Sequence, residues 1–351
     1  MKKPGIADIA ESLRVSKTLV SMVLNGYGDK HGISALTQRK VILKAAELNY
    51  QPNRVARGLR LGKSNIIGLV VADISNPFYA YIARYIEGYV SAAGYNLMIC
   101  NTHEDVEKEK AIIQMLREQQ VDGVIVATSS SDPMDFVRLQ EEKYPFVLID
   151  RCFKDLKMNA VITDNYSGAF EAVEHLINMG YQRIGHITLT PDYLSTLTER
   201  KLGYMNALRK HKIKPSQKHI LTIPFSDIKA ELRNKLISLL KGPNAADALF
   251  IGNNNLTVSC LEVLNDLKIR VPQHMAILSY DDIELFNVNS PSITAVAQPL
   301  EAMCEQSVSI LIDNICRKSD PSFVPRLVVL KSKLIIRQSC GNDFNKLIIN
   351  K

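Results

Sequence analysis

Apolar residues recur with a helical period at the start of the chain, then give way to short unbroken runs after residue 65. Ile6, Ile9, Ala10 and Leu13 fall at i, i+3, i+4 and i+7, one face of a short helix. A tight turn follows, and Ser16 stands where an N-cap belongs, ahead of a second helix that Asn25 and Gly26 stop. On that second helix Leu19, Val20, Val23 and Leu24 take one side, and Lys17, Thr18, Ser21, Met22 and Asn25 the other. The polar side carries one cation, three small hydrogen-bonding groups and one flexible apolar side chain. Such a face suits a DNA major groove, with hydroxyls and the amide on phosphates and one or two side chains on base edges. An ordinary helical hairpin packed on a core shares the bare pattern. After a polar loop over 27–33, Ser34 caps a third helix of about 35–48, with Leu36, Val41, Ile42, Ala45 and Leu48 as its expected inner face. Three short helices make a module of about 50 residues, small in core but feasible.

The next segment, 53–60, reads as one or two helical turns, with Asn53 as cap, Ala56 and Leu59 on one side, and Arg54, Arg57 and Arg60 around it. Gly58 and Gly62 make it marginal as an isolated helix. It is either a basic linker or a segment that orders only on DNA, wedging an apolar side chain into the minor groove. From residue 66, apolar strands alternate with helices in two series: 66–72, 95–100, 123–127, 146–150 and 160–163, then 183–188, 220–223, 248–251 and 275–279. Apolar runs separated by helices indicate parallel sheets covered on both faces, hence an α/β class with two doubly wound lobes behind a helical head. Ligands bind at the carboxyl ends of such strands, so the gap between the lobes is the default site. Later elements (strand 293–296, helix 299–317, strands near 326–330 and 333–337) are expected to cross back between lobes. The expected domains are 1–52, a helix-turn-helix head; 53–62, a hinge; 63–340, the two-lobed body that also dimerises; and 341–351, a frayed tail.

Charge sharpens this division. The 351 residues carry a net charge of +7, and residues 1–60 hold 11 Lys/Arg against 4 acids, so the remainder balances at 32 of each. The whole excess sits on the helical head, the footprint of a polyanion-binding module attached to a neutral body. Six widely spaced cysteines, with no C-x-x-C pair, suggest neither a disulfide framework nor a zinc site, but reduced thiols in a cytoplasmic protein. Asp8, Glu11 and Arg14 interrupt any export signal after Met1-Lys2-Lys3, and no run reaches the ~18 apolar residues of a membrane span. There is no G-x-S-x-G, H-E-x-x-H, P-loop or strand-borne G-x-G-x-x-G, and the seven histidines show no metal spacing. Neither catalysis, nor a cofactor, nor a bound metal is expected.

Taken in order, VSKTLVSMVLNG, AAELNYQPN, NRVARGLR, IGLVVADISNPFYA, TDNYSGAFEAVEHLINMGYQRIGHI, RVPQHMAILSYDDI and TAVAQP resemble the LacI/GalR family of bacterial transcription regulators, over about residues 5–340. The resemblance implies a homodimer on a pseudo-palindromic double-stranded operator, each subunit offering one major-groove helix and one minor-groove hinge. It also implies a small effector between lobes that look like a periplasmic sugar-binding protein. Matched by position, Lys17, Thr18 and Met22 face bases, and Ser16, Ser21 and Asn25 meet phosphates. Leu59, beside Ala56, matches the minor-groove leucine, and Asn53, Arg54 and Arg57 belong to the same DNA-binding hinge. For the effector the matching positions are Phe78, Tyr79, Asp150, Arg151, Arg200, Asn254, Asp281 and Gln298. A cleft of Asp, Arg, Asn and aromatic residues suits a sugar or sugar derivative. Met22 departs from the arginine common in relatives, and Arg14 from the usual turn glycine. The alternative is a transport protein with the same lobes and no gene-control role; the basic head argues against it.

Overall fold

The computed structural model describes residues 4–50, 63–225, 228–317 and 324–341. The hinge positions Asn53, Arg54, Ala56, Arg57 and Leu59, and the tail beyond Gly341, lie outside the described residues. The chain divides into two compact units, 1–64 and 65–351.

In the first unit, helices α1 (Ile6–Leu13), α2 (Lys17–Leu24) and α3 (Ala35–Glu47) enclose a core of Ile9, Ala10, Val20, Val23, Val41 and Ala45. Each helix has a local reason for its ends. The Gly5 amide donates to Asp8 Oδ2 at 2.6 Å, placing an acid at the positive end of α1. Arg14 then turns the chain in a left-handed conformation (φ 53°), which costs a non-glycine residue roughly 1 kcal/mol. Ser16 Oγ accepts the Leu19 amide and Ser34 Oγ accepts the Thr37 amide, capping α2 and α3. Gly26 (φ +75°) and Asn49 (φ 48°) let the chain leave α2 and α3. Between these helices, residues 29–31 form a single 3₁₀ turn held by Gln38, whose Nε2 donates to Asp29 Oδ1 and to the Ile33 carbonyl, each at 2.8 Å. A Cβ on Gly28 would lie 2.4 Å from the Gln38 side-chain amide, so any larger residue there displaces Gln38 from these bonds.

The inner face expected for α3 needs correction. Val41 and Ala45 are buried and Leu48 is half-buried, but Leu36 and Ile42 are 67% and 55% exposed. So small a core takes only the stripe 41, 45, 48, and Leu36 and Ile42 fall off that stripe.

The second unit contains two six-stranded sheets of the same strand order. The first lobe runs β2 (Asn96–Asn101), β1 (Ile66–Val71), β3 (Gly123–Val126), β4 (Phe146–Ile149), β5 (Ala160–Thr163) and β11 (Leu327–Leu330). The second runs β7 (Ile220–Pro224), β6 (Ile184–Thr190), β8 (Ala248–Ile251), β9 (Ala276–Tyr280), β10 (Thr294–Ala297) and β12 (Lys333–Ile335). Every pairing is parallel except β10 with β12. Helices α4 (Pro77–Ala92) and α12 (Leu300–Cys316) cover one face of the first sheet, and α5 (Val106–Glu118) and α6 (Met134–Glu141) the other. In the second lobe α7 (Asn165–Asn178) and α8 (Ser195–Lys210) lie opposite α9 (Ile228–Leu239) and α10 (Asn254–Asp266). Gly203 lets α8 approach α7 closely: a Cβ there would sit 2.5 Å from the Tyr166 carbonyl oxygen. The chain passes between lobes after β5, after β10 and between β11 and β12, so the closing elements do cross back. Two short helices, α6 and α11 (Glu284–Val288), are not announced by periodicity. No helix among the described residues is long and apolar enough to cross a membrane.

The head has the smallest core in the chain and is the part most exposed to a single cavity. Ile9→Ala, at a fully buried position, is expected to cost about 2–5 kcal/mol. Calorimetry of the full chain should show the head's transition lost or strongly lowered while the transition of 65–351 stays in place.

Candidate functional site

Each unit presents one candidate surface. On α2, Val20 and Val23 are buried while Ser16, Lys17 and Thr18 are exposed, and Ser21, Met22 and Asn25 are half-buried. Asn25 Nδ2 donates back to the Ser21 carbonyl at 2.6 Å and approaches Ser21 Oγ at 3.3 Å, so the end of this face is pre-shaped by its own contacts. Ser16 spends its lone pair on the cap and keeps its hydroxyl proton for an outside acceptor. No acid lies on α2. Of the acids on the rest of the head, Asp29 is taken by Gln38 and Glu47 pairs with Lys44 at 2.8 Å. The α2 surface therefore offers a cation and donors and carries no carboxylate of its own, which suits the seating of a phosphate backbone.

In the second unit, the cleft between the lobes has a volume of about 40 Å³ and is lined by Phe78, Tyr79, Asp150, Arg151, Arg200 and Asp281 of the expected set. Asp150 follows β4 and Asp281 follows β9, corresponding strands of the two lobes, and both hold left-handed backbone (φ 69° and 66°). Strain at matching strand ends, aimed at one cleft, is the kind of constraint that accumulates where a ligand is held. Tyr79 donates its hydroxyl to Asp150 Oδ2 at 3.2 Å. Arg151 grips Glu104 through both terminal nitrogens at 2.7 and 2.6 Å and donates to the Thr128 carbonyl at 3.0 Å. Arg200 donates to Asn165 Oδ1 at 2.8 Å and to the Gly252 carbonyl at 2.7 Å, lies 3.7 Å from Asp281 Oδ2, and stacks 3.8 Å over the Tyr280 ring. Burial pushes the carboxyls of Asp150 and Asp281 above the usual carboxylate range, against the pull of the arginines. Burial also opposes ionisation of Glu104, but the Arg151 guanidinium outweighs it and holds that carboxyl below its usual value. Asp150 Oδ1 and Arg151 Nε are buried without a hydrogen-bond partner among the described residues.

Two expected residues stand outside the cleft lining. Asn254 is fully buried and donates its Nδ2 to Asn76 Oδ1 at 2.8 Å, joining the second lobe to the cap of α4 in the first. Gln298 bridges Thr163 Oγ1 and Asp281 Oδ1, both at 2.6 Å, and so braces Asp281 from behind. Both are expected effector contacts, and in this structure each bonds to another side chain at the cleft. Conversely, the lining includes Asn76, Glu104 and Asn253, which the sequence reading missed. Asn76 and Asn253 were legible as helix caps before Pro77 and Asn254; Glu104 left no local signal. Further interlobe bonds run from Tyr193 OH to the Ser129 carbonyl (3.1 Å), from the Cys152 amide to Ser195 Oγ (3.2 Å), and between Lys154 and Glu199 (2.9 Å). Among the described residues no group of three or more His, Cys, Asp or Glu is placed to hold a metal ion.

Comparison with known proteins bears on both surfaces. Residues 173–340 match the periplasmic binding protein-like domain. The chain is 32% identical over 346 residues to the HTH-type transcriptional regulator KdgR of Bacillus subtilis (strain 168), covering 95% of this chain and 97% of that one. Among solved structures, the transcriptional regulator CelR–cellobiose complex aligns with a TM-score of 0.68 at 26% identity, over 96% of this chain and 99% of the other. The lac repressor dimer bound to operator and the anti-inducer ONPF aligns with a TM-score of 0.83 at 23% identity, over 97% and 99%. This last likeness is one of fold.

A buried imidazole gives a test of the second lobe. His186 is stacked between Tyr204 and Phe250, with centroids 5.0 Å away on each side, and burial lowers its pKa to about 4. In the unfolded chain it takes its proton near pH 6.5, so stability contributed by the neutral folded form is full above that pH and drains away as pH falls toward 4. Urea titrations of the wild type and His186→Phe should diverge: between pH 7.5 and 4.5 the wild type loses about 2–3 kcal/mol more than the variant. Parallel pH curves would contradict the buried neutral imidazole.

Proposed function

Because the chain belongs to the LacI family of DNA-binding transcriptional regulators, we propose that it is a repressor that acts as a homodimer on a pseudo-palindromic operator and answers to a sugar or sugar derivative held between its lobes. It is a regulator and not an enzyme. One observation carries the effector half of the reading: two strained, buried aspartates from corresponding strand ends share a cleft with two arginines, and Asp150 Oδ1 and Arg151 Nε there are left without a hydrogen bond. Internal packing has no need of such an arrangement; a polar ligand does. The solved CelR complex contains cellobiose, which supports a sugar here. A single α2 spans one half-site, which supports two copies on a two-fold operator. Acting on DNA, the protein works in the cytoplasm.

In this reading Lys17, Thr18 and Met22 face bases, and Ser16, Ser21 and Asn25 meet phosphates. Asn53, Arg54, Ala56, Arg57 and Leu59 form the minor-groove hinge. Phe78, Tyr79, Asp150, Arg151, Arg200 and Asp281 touch the effector, with Asn254 and Gln298 behind them. Methionine at 22 offers only apolar contact, so the base beneath it is read through a group such as the thymine methyl.

Selection of bound duplexes from a randomised pool, followed by anisotropy titrations, tests the DNA half. The wild type should enrich a two-fold symmetric site whose affinity falls steeply with salt. Met22→Arg should move one symmetric position toward guanine, with a discrimination of about 1–3 kcal/mol. Enrichment of no sequence at all would overturn the proposal. For the effector half, Asp150→Ala together with Asp281→Ala should leave operator affinity within about twofold and abolish its response to any active sugar.

A further inference from the structure

We infer that Glu104 sets the charge of the effector: by filling the fork of Arg151 it leaves a cleft built for an uncharged polyhydroxylated molecule and turns away sugar acids and sugar phosphates. The inference rests on the cleft being the effector site.

The argument begins with what the arginines have left to give. A guanidinium recognises a carboxylate or phosphate through its paired N–H groups. In Arg151 that fork is spent on Glu104 at 2.7 and 2.6 Å, with the side chains only 9% and 8% exposed. Ser129 Oγ donates to the same Glu104 at 2.7 Å, and Tyr193 from the other lobe closes over the Ser129 carbonyl, so the pair is held from two sides. Arg200 is similarly engaged with Asn165, the Gly252 carbonyl and the face of Tyr280, with Asp281 beside it. The lining therefore sets three carboxylates, Glu104, Asp150 and Asp281, against two guanidiniums. A further negative charge would enter against that surplus, where little water is present to screen it.

The unpaired atoms point the same way. Asp150 Oδ1 is an acceptor without a donor, and Arg151 Nε, on the next residue, makes no hydrogen bond and meets only Asp150 Oδ2, at the ion-pair distance of 3.6 Å. One hydroxyl serves both, because it donates and accepts at once. An ammonium only donates, and an ionised carboxylate or phosphate oxygen only accepts. A ring or chain carrying several hydroxyls, without net charge, meets both requirements.

The test uses the full-length protein and matched sets sharing one carbon skeleton: D-glucose, D-glucuronate and D-glucose 6-phosphate; D-galactose and D-galacturonate; D-ribose and D-ribose 5-phosphate; cellobiose and cellobionate. Calorimetric titration should show a neutral member binding at least ten times more tightly than its anionic partner. In Glu104→Gln, which frees the Arg151 fork, the preference should move by at least tenfold toward the anion. An anion that binds the wild type as tightly as its neutral partner, or a panel in which no neutral member binds, would overturn the inference. So would a folded Glu104→Gln with unchanged preference. If that variant fails to fold, the wild-type ratios decide alone. An anion that binds and alters operator affinity sinks the charge rule and leaves the regulator standing. A neutral sugar that binds without altering operator affinity does the reverse.

Discussion

Five ionisable side chains, each largely buried, have to be balanced before the two lobes can meet. The balance is local and uneven. Within the first lobe Arg151 serves both Glu104, which fills its fork, and Asp150, 3.6 Å from its Nε, while Arg200 lies beside Asp281 in the second lobe and acts more weakly on Asp150. Removing one partner of a buried pair leaves an uncompensated charge, typically at 3–5 kcal/mol, whereas the intact pair contributes little net stability. The cleft is therefore tolerant of a ligand that replaces hydrogen bonds and intolerant of one that upsets the charge count. The backbone reinforces this: Asp150 and Asp281 hold left-handed conformations that β-sheet ends do not need, and consecutive left-handed residues His103 and Glu104 (φ 58° and 60°) deliver the third carboxylate.

How much of this was legible before the structure depends on how far apart the interacting residues lie. The inner strands from Ile66 onward are continuous apolar runs, buried on both faces, and their alternation with helices announces two doubly wound lobes without any knowledge of packing. The outward face of α2 was equally plain, because a helix of eight residues splits its own faces. The inner face of α3 was not: Leu36 and Ile42 satisfy a loose helical period, and only the narrowness of a three-helix core rejects them. The partners of Asn254 and Gln298 were not legible either. Asn254 meets Asn76 at a separation of 178 residues, a partnership no local pattern encodes. Glu104 was invisible for a related reason. Its role depends on a pair of left-handed residues after β2 and on Arg151, 47 residues away.

The interlobe bonds also bound what an effector can achieve. Asn76–Asn254, Tyr193–Ser129 and Cys152–Ser195 are neutral hydrogen bonds across the cleft, each worth about 0.5–1.5 kcal/mol net, and the more exposed Lys154–Glu199 pair adds little. Together they favour the closed arrangement by roughly 2–4 kcal/mol. That range is close to the 1–3 kcal/mol by which coupled sites usually influence one another. A ligand with the right hydroxyls need only differ in affinity between open and closed lobes by a similar amount to change which predominates. Asn76 gives the change a direct mechanical reading: its Oδ1 accepts both the Phe78 amide that starts α4 and the Asn254 amide from the opposite lobe. Parting the lobes at that point strips one donor from the cap of α4. The first turn of a sixteen-residue helix, which also carries Phe78 and Tyr79 of the cleft lining, then feels whether the lobes are closed.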